Sequence, residues 1–173
     1  MSIRKHAYAI HRWLGVIVGV QICLWVAGGL VMSAIPIEIV RGSHLLIEET
    51  PAKPTTLNLV NDERWRTLAF VYRFDRTVLQ VTNWQGQTHY LSADTLQAMP
   101  MLTVPEVNQL AERRFIGNAA ILVTTVLETL PREVGHLRLP LYKVVFDDWK
   151  NTTLYISPES GNIKSVRTDI WRF

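Results

Sequence analysis

The longest apolar segment of the chain lies near its N-terminus. Residues 13–35 form a run of 23 positions without a charged side chain. At about 1.5 Å per residue, a helix of this length reaches about 35 Å, enough to cross the hydrocarbon core of a bilayer. A secretory signal peptide has a shorter apolar stretch that ends in a small-residue cleavage site, and Met32–Pro36 contains no Ala-x-Ala. The pattern therefore predicts a retained transmembrane helix over residues 13–36.

The pattern changes to a period of two further along the chain. Residues 48–54, with two acids and two prolines, are typical of a connector. Apolar side chains then alternate with polar or small ones from Leu68 to Asp75. Two further runs, Val78–Asn83 and Thr88–Ser92, flank a turn that contains Gly86. We therefore predict a three-stranded antiparallel meander over about residues 65–92.

A helix and a second group of strands follow. Thr103–Glu106 matches a capping box, with proline in the first helical turn. The apolar stripe of this helix consists of Val107, Leu110, Ala111 and Phe115. Strand-like runs then occupy Ala119–Leu130, Leu141–Phe146, Thr152–Ser157 and Asn162–Arg167. The predicted fold class is α+β, with helices on one face of a twisted antiparallel sheet after the transmembrane helix.

The position of the positive charges along the chain predicts a membrane topology. The chain has 18 Lys and Arg against 15 Asp and Glu. The whole excess of +3 comes from Arg4, Lys5 and Arg12, and residues 1–12 contain no acid. The positive-inside rule predicts that residues 1–12 are cytoplasmic and that residues 37–173 lie outside, in the periplasm of a bacterium. Nucleic-acid binding is not expected, because a nucleic-acid interface spreads its basic residues over a face.

The predicted transmembrane helix carries a ridge of small side chains headed by a histidine. His11, Gly15, Gly19, Cys23 and Ala27 follow one another at intervals of four. Such small residues let a second membrane helix approach closely, which is the first interpretation. The second is a haem face, with the His11 imidazole on the iron and the glycines giving room to the porphyrin. The pattern leaves both open.

Candidate chemistry elsewhere is sparse. Cys23 is the single cysteine, and no nucleophile elbow, zinc-protease motif or phosphate-binding loop occurs. His89 and His136 are expected to be a strand-surface residue and a loop residue, without companion ligands at metal spacing. Asp147 and Asp148, taken as strand neighbours, should point to opposite faces, and Asp148 is expected to begin a turn. We therefore predict a protein that is not an enzyme, with no catalytic residues and no metal site.

Four segments resemble the PepSY-associated transmembrane proteins. They are the His-Arg-Trp-Leu-Gly sequence of residues 11–15, the Arg-Gly-Ser-His-Leu sequence of residues 41–45, and residues 140–148 and 153–161. The resemblance implies a helix that anchors an extracytoplasmic PepSY-type domain, a unit of helix and antiparallel sheet. On this analogy, His11 and His44 correspond to family histidines that are candidates for haem b. Family members continue past the equivalent of residues 169–173 into another membrane helix with a further histidine, so the second ligand for a haem on His11 is expected from another chain.

These observations lead to one leading function and two alternatives. The leading prediction is a single-pass inner-membrane protein with a periplasmic PepSY-type domain that acts as an accessory subunit of a redox or respiratory membrane complex. Its expected partners are other membrane subunits on the Gly15/Gly19 face, a periplasmic protein domain and the lipid bilayer. The alternatives are a haem b half-site of an iron- or siderophore-reductase-like system and a protease-regulating module. His44 is either an interfacial histidine or a contact for a haem propionate, a metal or a partner.

Overall fold

The computed structural model describes residues 3–48 and 65–171, which divide into two compact units at Val40/Arg41. The first unit is helical. Helix α1 spans Ile3–Ala34 without interruption, and α2 spans Ile37–Arg41. Pro36 separates them, because proline offers no N–H to continue the hydrogen-bonding of α1, whereas its carbonyl accepts from the N–H of Ile39 at 3.0 Å. The helix predicted over residues 13–36 thus begins ten residues earlier and includes the basic N-terminal segment.

The first sheet of the second unit is the predicted meander. Its strands are β1 (Trp65–Arg73), β2 (Arg76–Asn83) and β3 (Thr88–Ser92), all antiparallel in the order β1-β2-β3. The prediction is confirmed except at Phe74. This residue continues the apolar alternation of the sequence, yet the structure places it in the two-residue turn between β1 and β2, with φ of 61°. The predicted connector lies outside the described residues from position 49 onward.

Helix α3 and the second sheet follow the sequence pattern closely. Helix α3 spans Val104–Arg114, and β4 (Ile121–Leu127), β5 (Leu141–Phe146), β6 (Thr153–Ile156) and β7 (Ile163–Arg167) form an antiparallel sheet in that order. The capping box is present: the Glu106 carboxylate accepts from the N–H and the hydroxyl of Thr103, at 2.7 and 2.8 Å. Short 3₁₀ turns lie at residues 43–45, 132–134 and 169–171.

The core lies between α3 and the second sheet. The predicted helix stripe is buried, with Phe115 capping the C-terminus of α3. From the sheet, β5, β6 and β7 contribute Val144, Phe146, Leu154, Ile156 and Val166. The α+β class and the antiparallel strands are therefore confirmed. The expected single sheet with several helices is not: within residues 65–171 the strands form two sheets, and one α-helix packs on the second.

Candidate functional site

The predicted ridge lies on α1, and its five residues are exposed. Each four-residue step turns about 40° beyond a full helical turn, so the ridge winds about 160° around the helix from His11 to Ala27. A Cβ added at Gly15 or Gly19 meets no atom within 4 Å. The backbone at both glycines is therefore open to a second surface, whether a helix or a flat cofactor.

The histidines lie in separate parts of the structure. His11 belongs to α1, whereas His44 belongs to the 3₁₀ turn Ser43–Leu45 in the second unit. His89 is exposed on β3, and its ring makes a T-shaped contact with the ring of Trp65, with the centroids 5.9 Å apart, in agreement with the predicted role on the sheet surface. His136 is an exposed loop residue. Within the described residues, no three or more His, Cys, Asp or Glu side chains gather as a metal-binding group.

The Arg-Gly-Ser-His-Leu segment has a structural role that centres on its glycine. Gly42 is buried with φ of 71°, and an added Cβ would lie 2.8 Å from Cγ1 of Val166. Only glycine fits both this backbone conformation and this contact. Three residues later, the carbonyl of Leu45 accepts a hydrogen bond from the N–H of Ile116 at 3.0 Å. The segment is therefore hydrogen-bonded to the chain that follows α3. The sequence analysis considered His44 and missed Gly42. The only available indication of a close backbone contact was a glycine next to an apolar segment.

The two aspartates after β5 form a turn. Strand β5 ends at Phe146, so Asp147 and Asp148 are not the strand neighbours expected from the sequence. The Asp148 carboxylate accepts from the N–H of Thr152 at 2.5 Å and from its hydroxyl at 2.7 Å. The N–H of Asn151 donates to the Asp148 carbonyl at 2.9 Å. The prediction that Asp148 begins a turn is confirmed, and its carboxylate is occupied by that turn.

A cavity of about 320 Å³ opens where the first sheet approaches α3. Arg73, the last residue of β1, lines it and is 2% exposed. Its Nη2 donates to the carbonyls of Pro100 and Pro158, the latter at 3.1 Å, while its buried Nε has no hydrogen-bond partner. Burial lowers the pKa of Arg73 from its ordinary value, and the negative charge of Glu106 opposes that shift.

Sequence reasoning missed this cavity for a physical reason. Arg73 occupies a polar position in the alternation of β1, and such positions usually face solvent. It is buried because the β6–β7 turn, Pro158–Gly161, covers it, and a contact between residues 85 positions apart leaves no local pattern. The turn itself was recognisable from Gly161, which has φ of 70°.

Comparison with protein-family models, with curated proteins and with solved structures gives no match. The class of the protein is therefore described from its fold alone. It is an α+β domain with antiparallel sheets, preceded by one N-terminal helix that is long and apolar enough to cross a membrane.

Proposed function

We propose that the chain is a single-pass inner-membrane protein, with an extracytoplasmic PepSY-type domain, that serves as an accessory subunit of a membrane complex. The observation that carries the proposal is the exposure of α1. The most apolar 18-residue segment within His6–Ala34 has a mean hydropathy of 2.2, and none of its residues is buried. A core helix of a soluble domain buries its apolar side chains, so a surface of this kind needs lipid or another helix.

The glycine ridge supports assembly in the membrane rather than anchoring alone. Lipid tails solvate leucine and valine well, so close helix contacts depend on small residues that let backbones approach. Gly15 and Gly19 offer such a surface, because neither has a neighbour where a side chain would extend. The proposed partner on this face is another membrane subunit of a redox or respiratory complex.

Edge strands support a second contact outside the membrane. Strand β4 lies at one edge of its sheet, with Leu122 61% and Val126 53% exposed. Strand β1 is one of the two edge strands of the other sheet and exposes Leu68 and Phe70. Edge strands present unpaired backbone groups together with these apolar side chains, which suits contact with a periplasmic protein domain.

The α1 proposal is tested by migration of the native complex from solubilised membranes. Leucine at both Gly15 and Gly19 should shift the chain from a large complex to a smaller species. Gly28→Leu is the matched control, since Gly28 is nine residues from Gly19, on the opposite side of the helix, and its added side chain also meets open space. A wild-type chain that migrates as a lone monomer contradicts the proposal, as does an equal shift with Gly28→Leu.

The intact mass of the membrane-bound chain tests whether α1 is retained, because cleavage of a signal peptide would remove this helix.

A haem b half-site is the second candidate, favoured by the position of His11 one turn before Gly15 on an open helix face. Neutral imidazole is a good iron ligand, and haem b would supply one-electron transfer with its second ligand from another chain. The purified complex should then show a b-type Soret band that is lost with His11→Ala and kept with His6→Ala. A spectrum without haem excludes this candidate. Recovery of a peptidase with the complex would instead favour the protease-regulating alternative.

A further inference from the structure

The cavity beside Arg73 has the features of a ligand site that is independent of α1. Its lining combines apolar side chains, among them Phe74, Met99 and Leu102, with four charged ones: Arg73, Asp75, Arg76 and Glu106. The volume of about 320 Å³ falls at the lower end of the range for small-molecule sites. A site of this size admits a small molecule with one polar group and a short apolar body.

The arginine is short of acceptors. A guanidinium carries five N–H groups, and the two carbonyl contacts of Arg73 use only those of Nη2. Nε is shielded from solvent and has no hydrogen-bond partner among the described residues. A buried charge without a hydrogen-bonded counter-ion is costly, and a carboxylate that accepts a charge-assisted hydrogen bond from one of the remaining N–H groups lowers that cost.

The acidic side chains around the cavity form their hydrogen bonds with groups other than Arg73. Glu106 accepts two hydrogen bonds from Thr103 in the capping box, through the same carboxylate oxygen. Asp75 is paired with Arg76 at 2.9 Å, and both side chains are substantially exposed. Neither carboxylate forms a hydrogen bond with Arg73, whose two acceptors are both backbone carbonyls.

We propose that this cavity binds a small apolar carboxylic acid, with the carboxylate on the Arg73 guanidinium and the hydrocarbon part between Phe74, Met99 and Leu102. The carboxylate supplies the acceptors that the protein does not, and the apolar body gains from leaving water. No residue of α1 lines the cavity. A negative result for carboxylate binding is therefore distinguishable from a negative result for the proposed membrane assembly.

Isothermal titration of the full chain in a neutral detergent tests the proposal with hexanoate as the probe. Hexanamide has the same apolar body without the charge and also controls for partition into the detergent. Hexanoate should bind at least about tenfold more tightly than hexanamide, as expected for charge-assisted hydrogen bonds. Equal binding of the two compounds, or no binding of hexanoate, overturns the proposal.

Variants place the binding in this cavity. Arg73→Met should abolish the preference for hexanoate, whereas Arg66→Gln, which removes an exposed arginine of the same strand, should leave it unchanged. Because Arg73→Met removes two structural hydrogen bonds, Met101→Trp gives an independent check. Met101 lines the cavity and is 54% exposed, so a larger side chain there narrows the cavity and leaves Arg73 in place. Hexanoate binding that persists with Met101→Trp contradicts the assignment, even where Arg73→Met does not fold.

Discussion

Phe115 stacks on Phe146, with the ring centroids 4.1 Å apart and the ring planes inclined by 27°. Phe115 caps the C-terminus of α3, and Phe146 is the last residue of β5. Both rings are buried. This pair therefore joins the only α-helix of residues 65–171 to the centre of the second sheet, and it fixes where the chain leaves the helix.

Replacing the two rings separately and together should reveal a coupling specific to aromatic contact. Phe115→Leu and Phe146→Leu keep an apolar side chain at each position and remove the stacking. We expect each single change to lower the free energy of unfolding, with a coupling of about 0.5–1.5 kcal/mol in the double-mutant cycle. Denaturant unfolding followed by near-ultraviolet circular dichroism measures it, and strictly additive changes contradict a specific ring contact.

Gly117 depends on the same ring. An added Cβ at position 117 would overlap Phe115, so Gly117→Ala forces the ring out of its place. We expect a loss of about 1–3 kcal/mol of unfolding free energy, the usual cost of overpacking. Gly135→Ala is the control, since its Cβ makes an ordinary contact at 3.6 Å with the Arg132 carbonyl.

A second substitution separates the ring contact from a backbone effect at Gly117. Leucine at position 115 lacks the outer ring atoms that the new Cβ meets, so Phe115→Leu should make Gly117→Ala less destabilising than it is in the wild-type background. An unchanged cost would assign the effect of Gly117→Ala to the backbone instead.

The sequence was sufficient where a local pattern decides the structure. Helix α1 follows from an apolar run that proline ends, α3 from its capping box, and most strands from alternation and turn residues. It was insufficient where distant segments meet. The burial of Arg73 depends on the β6–β7 turn, and the burial of Gly42 depends on Val166. Each contact joins residues that are distant in the sequence and leaves no pattern among their sequence neighbours. Periodicity therefore does not predict either burial.

The division into two sheets could not be predicted for the same reason. Alternation identifies strands but does not say which strand pairs with which, because pairing is set by packing and turn geometry. The first sheet ends at β3, and α3 then separates it in sequence from β4. Of the candidate site residues, the ridge on α1 could be read directly, since its members lie four apart on one helix.

Acid should weaken the N-terminus of α3. Hydrogen bonds from the backbone N–H and then the hydroxyl of Thr103 lower the pKa of Glu106 below its ordinary value. A carboxylate whose pKa is lowered by folding contributes stability that is present above its ordinary pKa and is lost as pH falls through the folded-state pKa. Glu106→Gln should therefore reduce the loss of stability between neutral and acidic pH, with about 0.3–1 kcal/mol lost at neutral pH.

Glu112 provides the comparison on the same helix. It is exposed near the C-terminal end of α3, where a carboxylate has no capping role. Glu112→Gln should leave the pH dependence of unfolding close to that of the wild type. Identical pH profiles for wild type and Glu106→Gln would show that the capping carboxylate is not the group that titrates.

Orientation of α1 should depend on the basic residues that precede the apolar run. In a chain with Cys23→Ser, the substitution Trp149→Cys places a thiol at a side chain that is 80% exposed in the second unit. A membrane-impermeant maleimide should label it in intact spheroplasts, whereas His6→Cys should react only after lysis. Glutamine at Arg4, Lys5 and Arg12 together removes the charge bias and should give a mixed labelling pattern. Glutamine at Arg132 and Arg138 removes two positive charges of the second unit, remote from the helix in sequence, and should leave the labelling pattern unchanged. Labelling of His6→Cys in intact spheroplasts contradicts the predicted orientation.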